Sequence, residues 1–192
     1  MEEFLTEITL VNHFKKKALI ATECLMNDIP LIIDVEASGF GAGSYPIEVG
    51  IAMPEGSDFC RLIRPESNWT RWDEDTEKVH GITREILQSH GKPVIEVAEQ
   101  LNEILDNKIV YSDGWGYDQT WLSLLFHHAG IHQRFQLEPL TAIMSDHQMR
   151  MWERTKWGVI REFNLQRHRA SSDAKILQLT YLRSLETKLR LV

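Results

Sequence analysis

A short apolar run close to residue 30 limits what this chain can form. Pro30 is followed by Leu31-Ile32-Ile33-Asp34-Val35, in which β-branched residues dominate, and a glycine-rich turn at residues 39–43 comes soon after. A run of this length between turn signals predicts a buried strand. We therefore expect a sheet-containing domain over residues 29–192, preceded by an N-terminal helical extension of residues 1–28.

The rest of the apolar pattern predicts an α/β domain. Apolar side chains recur with the helical period over residues 94–105, and further helices are predicted at residues 2–26, 121–129, 139–152 and 173–189. Strands are predicted at residues 47–53, 58–63 and 109–111, with a weakly signalled one at 135–137. Strands come early in succession and later alternate with helices, which favours a mixed sheet of roughly five strands flanked by helices. The first three strands are expected to form an antiparallel meander.

The size and the cysteine content indicate the class of protein. A chain of 192 residues suits one compact domain with a substantial core. The N-terminus lacks the basic start and apolar run of a signal peptide, and no stretch approaches the roughly 20 apolar residues of a membrane helix. The two cysteines, Cys24 and Cys60, lie far apart without metal-ligand spacing. We therefore expect a cytoplasmic protein with reduced thiols.

The formal net charge of −7 bears on possible partners. A protein that grips long duplex DNA by neutralising phosphates is normally basic, so this charge argues against a large non-specific duplex-binding surface. A small pocket for the end of one strand stays open, because the local charge there can differ from the average. A cluster of catalytic carboxylates would itself contribute negative charge.

Three separated segments carry acids at positions that suit chemistry. Asp34 and Glu36 are two residues apart in the first predicted strand, so their carboxylates point to the same face where the strand enters the glycine-rich turn. Asp118 follows the fourth strand at the start of a helix, and Asp173 opens the last helix. Each acid alone is commonplace, because acids at strand ends and in first helical turns are often only polar or dipole-stabilising residues.

Taken together and in this order, the segments resemble the histidine subclass of the DEDD superfamily of exonucleases, which includes the proofreading epsilon subunit of DNA polymerase III, RNase T and oligoribonuclease. His168 lies five residues before Asp173, as in the histidine subclass, whereas the tyrosine subclass would have a tyrosine where Arg169 stands. Val79-His80-Gly81-Ile82-Thr83 looks like a segment that many members carry between the first and second motifs. Ser44-Tyr45-Pro46-Ile47-Glu48-Val49-Gly50 looks like their second strand. The resemblance covers about residues 31–182 and implies a ribonuclease-H-like fold.

The resemblance implies a metal-dependent 3′→5′ exonuclease that releases nucleoside 5′-monophosphates from single-stranded or short DNA or RNA. Four clustered carboxylates repel one another unless compensated, and their hard oxygens suit Mg²⁺ or Mn²⁺. Two such ions can stabilise both the attacking and the leaving oxygen of an in-line displacement. The implied metal ligands are Asp34, Glu36, Asp118 and Asp173. His168 is the implied general base, since an imidazole is usefully neutral just above neutrality. The candidate substrate-binding residues are Ser38, Gly39, Phe40, His80 and Ile82.

Other interpretations stay open. A catalytically silent nucleic-acid-binding module on the same fold is one alternative, although such a module has no physical need for four clustered acids. A subunit specialised for protein association is another, and residues 1–28 make a homodimer plausible. Family members often have a polar pair five and four residues before the third acid, where this chain has Asp113 and Gly114. This departure leaves substrate preference open. Residues 150–169 combine basic and aromatic side chains, which suits a single strand as well as an ordinary helix with a solvated face.

Overall fold

The structure is a computed structural model that describes residues 29–189, with side chains described as far as residue 185. The helix predicted at residues 2–26 lies outside the described residues, and the domain boundary at residue 28 stays a prediction. The strands are β1 (Ile32–Ala37), β2 (Pro46–Ala52), β3 (Asp58–Leu62), β4 (Ile109–Ser112) and β5 (Gln136–Pro139). The α-helices are α1 (Glu74–His80), α2 (Arg84–His90), α3 (Val94–Leu105), α4 (Trp115–Ala129), α5 (Asp146–Phe163) and α6 (Ala170–Leu189).

The five strands form one mixed sheet in the order β3-β2-β1-β4-β5. The first three strands are antiparallel, which confirms the predicted meander, and β4 and β5 run parallel to β1 and to each other. Parallel strands need a crossover connection, and α3 and α4 belong to the two crossovers that lead into β4 and β5. The predicted α/β fold with a mixed five-stranded sheet is therefore confirmed.

Helices cover both faces of the sheet, which explains why its central strands are so apolar. All seven residues of β2 are buried, as expected of a strand covered on both faces. The larger core packs β1 and β2 against α3 and α4, with Leu101 and Leu122 fully buried. The smaller core packs Ile32 of β1 against α6, through Ala174 and Leu177. α6 therefore lies against the sheet on the side of Ile32, where its first turn comes next to the carboxyl end of β1.

The prediction of one helix over residues 139–152 is wrong. A short 3₁₀ helix spans Leu140–Ile143, and α5 begins separately at Asp146. Ser145 starts this new helix with a capping box: its side chain accepts from the Gln148 backbone N–H, and the Gln148 side chain accepts from the Ser145 N–H at 3.0 Å. Such a reciprocal cap defines a helix start.

Two short helices, α1 and α2, occupy a stretch for which no helix was predicted. Their length of seven residues each is too short for a clear apolar period. Their caps define them instead, because Asp73 and Thr83 accept hydrogen bonds from the first-turn backbone N–H groups. Within residues 29–189, none of the helices combines the length and apolar character that a membrane crossing requires.

Candidate active site

A cavity of about 530 Å³ opens where β1 and β4 end and where α4 and α6 begin. The carboxyl ends of parallel strands are the usual place for a ligand site in an open α/β sheet. The acids and the histidine singled out in the sequence all line this cavity: Asp34, Glu36, Asp118, His168 and Asp173. The fold thus brings together five residues that are up to 139 positions apart in the chain.

Strand β1 presents the first two carboxylates side by side. Asp34 pairs in register with Gly50 of β2, and Glu36 pairs with Glu48. Since alternate residues of a strand share a face, both acids point into the cavity. One ligand oxygen each from Asp34, Glu36 and Asp173 lies within 4.8 Å of the others. These three acids form the only set of possible metal ligands of this kind among residues 29–189.

Asp118 contributes the fourth carboxylate from the first turn of α4. It is only 3% exposed, and the Ser112 hydroxyl at the end of β4 donates a hydrogen bond to its Oδ2. Its backbone N–H donates to the Gly114 carbonyl at 3.1 Å. A Cβ at Gly114 would approach Asp118 Oδ2 to 3.3 Å, a tight contact that favours glycine there. Strand β4 and its glycine turn therefore hold this carboxylate in the cavity wall.

His168 and Asp173 are joined by a local hydrogen bond before and within α6. His168 has φ = 64°, in the left-handed region that a non-glycine residue seldom occupies. Its backbone N–H donates to Asp173 Oδ2 at 2.5 Å, which caps the turn that leads into the helix. The strained turn thereby sets both side chains on the same cavity wall.

A partly buried ion pair anchors this turn to the sheet, with Glu48 buried and Arg169 41% exposed. Glu48 of β2 has no exposed surface and accepts from the Arg169 guanidinium at 2.6 Å. Its other oxygen accepts from the Ala170 backbone N–H at 2.9 Å, and the Cys60 thiol lies 3.3 Å from Oε1. A buried carboxylate needs such partners to offset its lost hydration. Glu48 therefore fixes the residues that immediately follow His168.

Gly50 brings α6 into direct contact with β2. A Cβ at this position would lie 2.1 Å from the Ser171 backbone nitrogen and 2.2 Å from the Ala170 carbonyl carbon. Only glycine allows this approach. Because Gly50 is the register partner of Asp34, the contact sets the distance between the first and last carboxylates of the cluster.

Sequence reasoning did not assign a role to Glu48, Gly50 or Arg169. The first two were noted only as part of a strand-like segment, and Arg169 only as a residue that is not tyrosine. An acid in the middle of an otherwise apolar strand was the signal that could have identified Glu48, since such an acid requires a partner.

The four clustered carboxyl groups all have raised pKa values. Burial is the largest cause for each of them, and it raises the pKa of Asp34 well above its usual range, helped by the charges of Asp118, Glu36 and Asp173. Burial, then Asp173 and Glu48, raises the pKa of Glu36 to about 7. Burial raises the pKa of Asp118 to about 7 although the Ser112 hydroxyl opposes the shift. Burial also raises the pKa of Asp173, against the hydrogen bond from His168.

Burial and mutual repulsion therefore both disfavour the charged forms of these carboxyl groups. Carboxylates this close cannot all ionise near neutrality without compensation. The donor set consists of oxygen alone, which Mg²⁺ and Mn²⁺ prefer and which does not favour zinc. The residues therefore fit a divalent-cation site in the chemistry of their donors.

The predicted substrate-binding residues divide into two groups. Gly39 and Phe40 line the cavity. Ser38, His80 and Ile82 are buried and do not line it: the Ser38 hydroxyl accepts from the Tyr45 N–H at 3.2 Å, and His80 Nδ1 accepts from the Ile82 N–H at 3.0 Å. Their contact with a substrate stays a prediction.

Two basic residues in the cavity wall come from the segment 150–169. Lys156 of α5 lies 3.1 Å from Asp113 Oδ2, and Arg167 stacks over the Trp157 ring at 5.4 Å. The aromatic residues of the segment differ, because Trp152 packs against the smaller core while Trp157 is 49% exposed. Part of the segment is thus an ordinary amphipathic helix, and part flanks the candidate site.

Comparison with known proteins supports the fold. No known family's sequence profile matches this chain, and no curated protein matches it either. Among solved structures it is similar to exonuclease I of E. coli in complex with a dA16 oligonucleotide, with a TM-score of 0.62 and 11% identity. A moderately thermophilic exonuclease I from Methylocaldum szegediense gives the same two values. Each likeness covers 82% of this chain and 40% of the other.

A product-bound exonuclease I is similar to the same degree, with a TM-score of 0.61 and 12% identity over 84% of this chain and 44% of that one. At such identity the likeness establishes a shared fold: a mixed five-stranded sheet flanked by helices, of the ribonuclease-H-like type. The chain spans less than half the length of these proteins. The histidine subclass stays a prediction from the sequence.

Proposed function

We propose that this protein is a metal-dependent 3′→5′ exonuclease that hydrolyses single-stranded or short DNA or RNA from the 3′ end and releases nucleoside 5′-monophosphates. One observation carries the proposal: four carboxylates with raised pKa values and one histidine line a single cavity at the carboxyl edge of the sheet. A fold shared with exonucleases that have been crystallised with single-stranded oligonucleotides adds independent support.

The four acids would hold two divalent cations, Mg²⁺ or Mn²⁺: Asp34, Glu36, Asp118 and Asp173. Bound there, such ions would neutralise the phosphate and stabilise the attacking and leaving oxygens. A separate role falls to His168, whose side chain lies on the same wall and would accept the proton of the attacking water as general base.

Other cavity residues would position the strand. The ammonium of Lys156 and the guanidinium of Arg167 carry the positive charge that a phosphate requires. Gly39 and the exposed ring of Phe40 line the same cavity, where a terminal nucleotide would contact them. Ser38, His80 and Ile82 remain proposed substrate-binding residues, although each is buried outside the cavity lining.

The test is a cleavage assay on 5′-labelled single-stranded DNA and RNA oligonucleotides with Mg²⁺, with Mn²⁺ and with a chelator. We expect a ladder that shortens from the 3′ end, disappears with chelator, and falls by at least about 100-fold in rate in Asp34→Ala and His168→Ala. Matched controls are Asp106→Ala and His132→Ala, which remove the same groups outside the cavity and should leave the rate unchanged.

Two outcomes would contradict the proposal. Cleavage that survives both the chelator and Asp34→Ala would show that the cluster is not the catalytic centre. Tight binding of oligonucleotides without cleavage in either metal would instead favour the catalytically silent binding module. The homodimer stays a prediction, because the described structure is that of a single chain.

A further inference from the structure

A second and larger cavity adjoins the candidate active site. It has a volume of about 1300 Å³ and lies between the turn at residues 41–44, the segment 68–71 and one side of α4. The two cavities share four lining residues: Asp113, Gly114, Tyr117 and Trp121. They therefore form one continuous depression. We call the second cavity the upstream groove.

Aromatic rings mark the passage from one cavity to the other. Phe40 of the active-site wall is 60% exposed and meets Tyr117 edge to face at 5.5 Å. Tyr117 is 57% exposed and stacks on Trp121 at 5.8 Å, and Trp115, which lines the upstream groove, is 43% exposed. Exposed rings that contact one another, as Phe40 and Tyr117 do, form the kind of apolar patch that marks an interaction site.

We propose that the upstream groove binds the nucleotides that lie 5′ to the cleaved end of a single strand, with their bases stacked on Trp115 and Tyr117. This inference rests on the proposed function, since it assigns the 3′ end of the same strand to the adjoining cavity. It adds a second binding region and predicts that the protein prefers strands longer than a few nucleotides.

The chemistry of the groove favours an unpaired strand. Base faces are free for stacking only in single-stranded nucleic acid, and stacking on aromatic side chains tolerates every base. The groove also exceeds the roughly 300–1,000 Å³ of a pocket for one small molecule. Duplex DNA is disfavoured, because the chain carries a net charge of −7 and duplex binding normally relies on extended basic surfaces.

The charges along the groove do not oppose a phosphate backbone. Its lining contains one acid, Asp113, whose carboxylate is paired with Lys156 at 3.1 Å. Its basic and titratable members are Arg71, His127 and His128. With the histidines neutral, the lining has one basic and one acidic side chain and is balanced in charge, although the whole chain carries a net charge of −7.

The walls of the groove are held in place before any ligand binds. The Arg71 guanidinium donates to the carbonyl oxygens of Phe40 and Ala42 at 2.7 and 2.8 Å. Trp121 Nε1 donates to the Ser44 hydroxyl at 3.0 Å, which ties α4 to the turn. A wall fixed in this way loses little conformational entropy on binding.

The experiment compares binding of 5′-labelled single strands of three and twelve nucleotides, oligothymidylate and oligouridylate, by fluorescence anisotropy in chelator. No cleavage occurs under these conditions if the site requires metal. The wild-type protein should bind twelve-residue strands more tightly than three-residue ones. Trp115→Ala should reduce that length preference by at least about fivefold, while affinity for the short strand stays the same.

Two further variants separate stacking from folding. Trp115→Phe keeps an aromatic face but lacks the indole N–H that donates to the Leu137 carbonyl at 3.0 Å, so it should retain the length preference. Thr120→Glu places a negative charge at an exposed helical position in the groove, and it should weaken binding of the long strand only. The matched control is Phe163→Ala, which removes a ring of similar exposure, 47%, outside both cavities.

The outcomes distinguish this inference from the proposed function. If the enzyme is active and its Trp115→Ala and Thr120→Glu variants keep the wild-type length preference, the binding role of the upstream groove is refuted. The exonuclease proposal is then unaffected. A length preference lost equally in Phe163→Ala would also refute the binding role of the groove. A protein that cleaves neither polymer but loses long-strand binding in the two groove variants would support the groove and contradict the exonuclease.

Discussion

Substitution of Gly50 by alanine should both destabilise the protein and remove its activity. The added Cβ would lie 2.1 Å from the Ser171 backbone nitrogen, whereas real Cβ contacts below 3.0 Å essentially never occur. The first turn of α6 must therefore retreat by roughly 1 Å, because backbone atoms cannot avoid the methyl group by changing rotamer. That turn carries Asp173, so the last carboxylate moves away from Asp34.

The expected magnitudes follow from this displacement. Overpacking a well-packed core costs about 1–3 kcal/mol, and we expect about 3 kcal/mol here since the colliding atoms are backbone. With a denaturant slope of about 2 kcal/mol/M, the urea midpoint should fall by about 1.5 M. A misplacement of about 1 Å in an active site can reduce the rate about 100-fold. Unfolding is followed by circular dichroism, and the rate by cleavage of a labelled oligonucleotide.

Gly158→Ala is the matched control for this prediction. Gly158 lies inside α5, and an added Cβ there meets nothing within 4 Å. The substitution should therefore stabilise the protein by about 0.4–1 kcal/mol and leave the rate unchanged. A Gly50→Ala variant with wild-type stability and wild-type rate would refute the argument that contact between α6 and β2 positions the site.

Two further predictions concern charge. Glu48→Gln should cost about 1–3 kcal/mol in chemical unfolding, because it weakens the partly buried hydrogen bond to Arg169 and the buried one to Ala170, and an unchanged urea midpoint would contradict this. Burial raises the pKa of Glu36 from 4.5 and that of Asp118 from 3.8 to about 7, so the folded protein holds protons that the unfolded chain has released between about pH 4 and pH 7. The stability of the metal-free protein should therefore fall as the pH rises through that window. Mn²⁺ should accordingly raise the melting temperature more at pH 8 than at pH 5, and equal shifts in thermal unfolding at the two pH values would contradict the assignment of the metal site.

The sheet could be predicted well because its strands are marked by local composition. The apolar β-branched runs predicted β1 to β4 to within two residues at each end, and the helical period predicted α3 with the bounds Val94–Leu105. α4 begins at Trp115, three residues before Asp118, which was predicted at the start of this helix; only residues 121–129 show the apolar pattern clearly, because Gly116 and polar residues interrupt it. The break at Ser145 was missed because the prediction rested on the apolar pattern, although Ser145 and Gln148 have the spacing of a capping box in the sequence.

In the candidate site too, the features that local sequence encodes could be predicted and those that depend on long-range contacts could not. Asp34 and Glu36 could be placed together because the strand period alone puts them on one face. The meeting of Asp118 and Asp173 with this pair depends on strand order and crossovers, which the resemblance supplied and the spacing did not. The roles of Glu48 and Gly50 depend on long-range contacts with α6, which no local pattern encodes.

The direction and metal dependence of cleavage test the central claim most directly. A twelve-nucleotide single strand would be incubated with the protein and Mg²⁺, labelled at its 5′ end in one reaction and at its 3′ end in another. We predict a ladder that shortens by one nucleotide at a time from the 5′-labelled strand, immediate release of a labelled mononucleotide from the 3′-labelled strand, and no product in chelator. Internal fragments from both strands, or products that persist in chelator, would contradict the account.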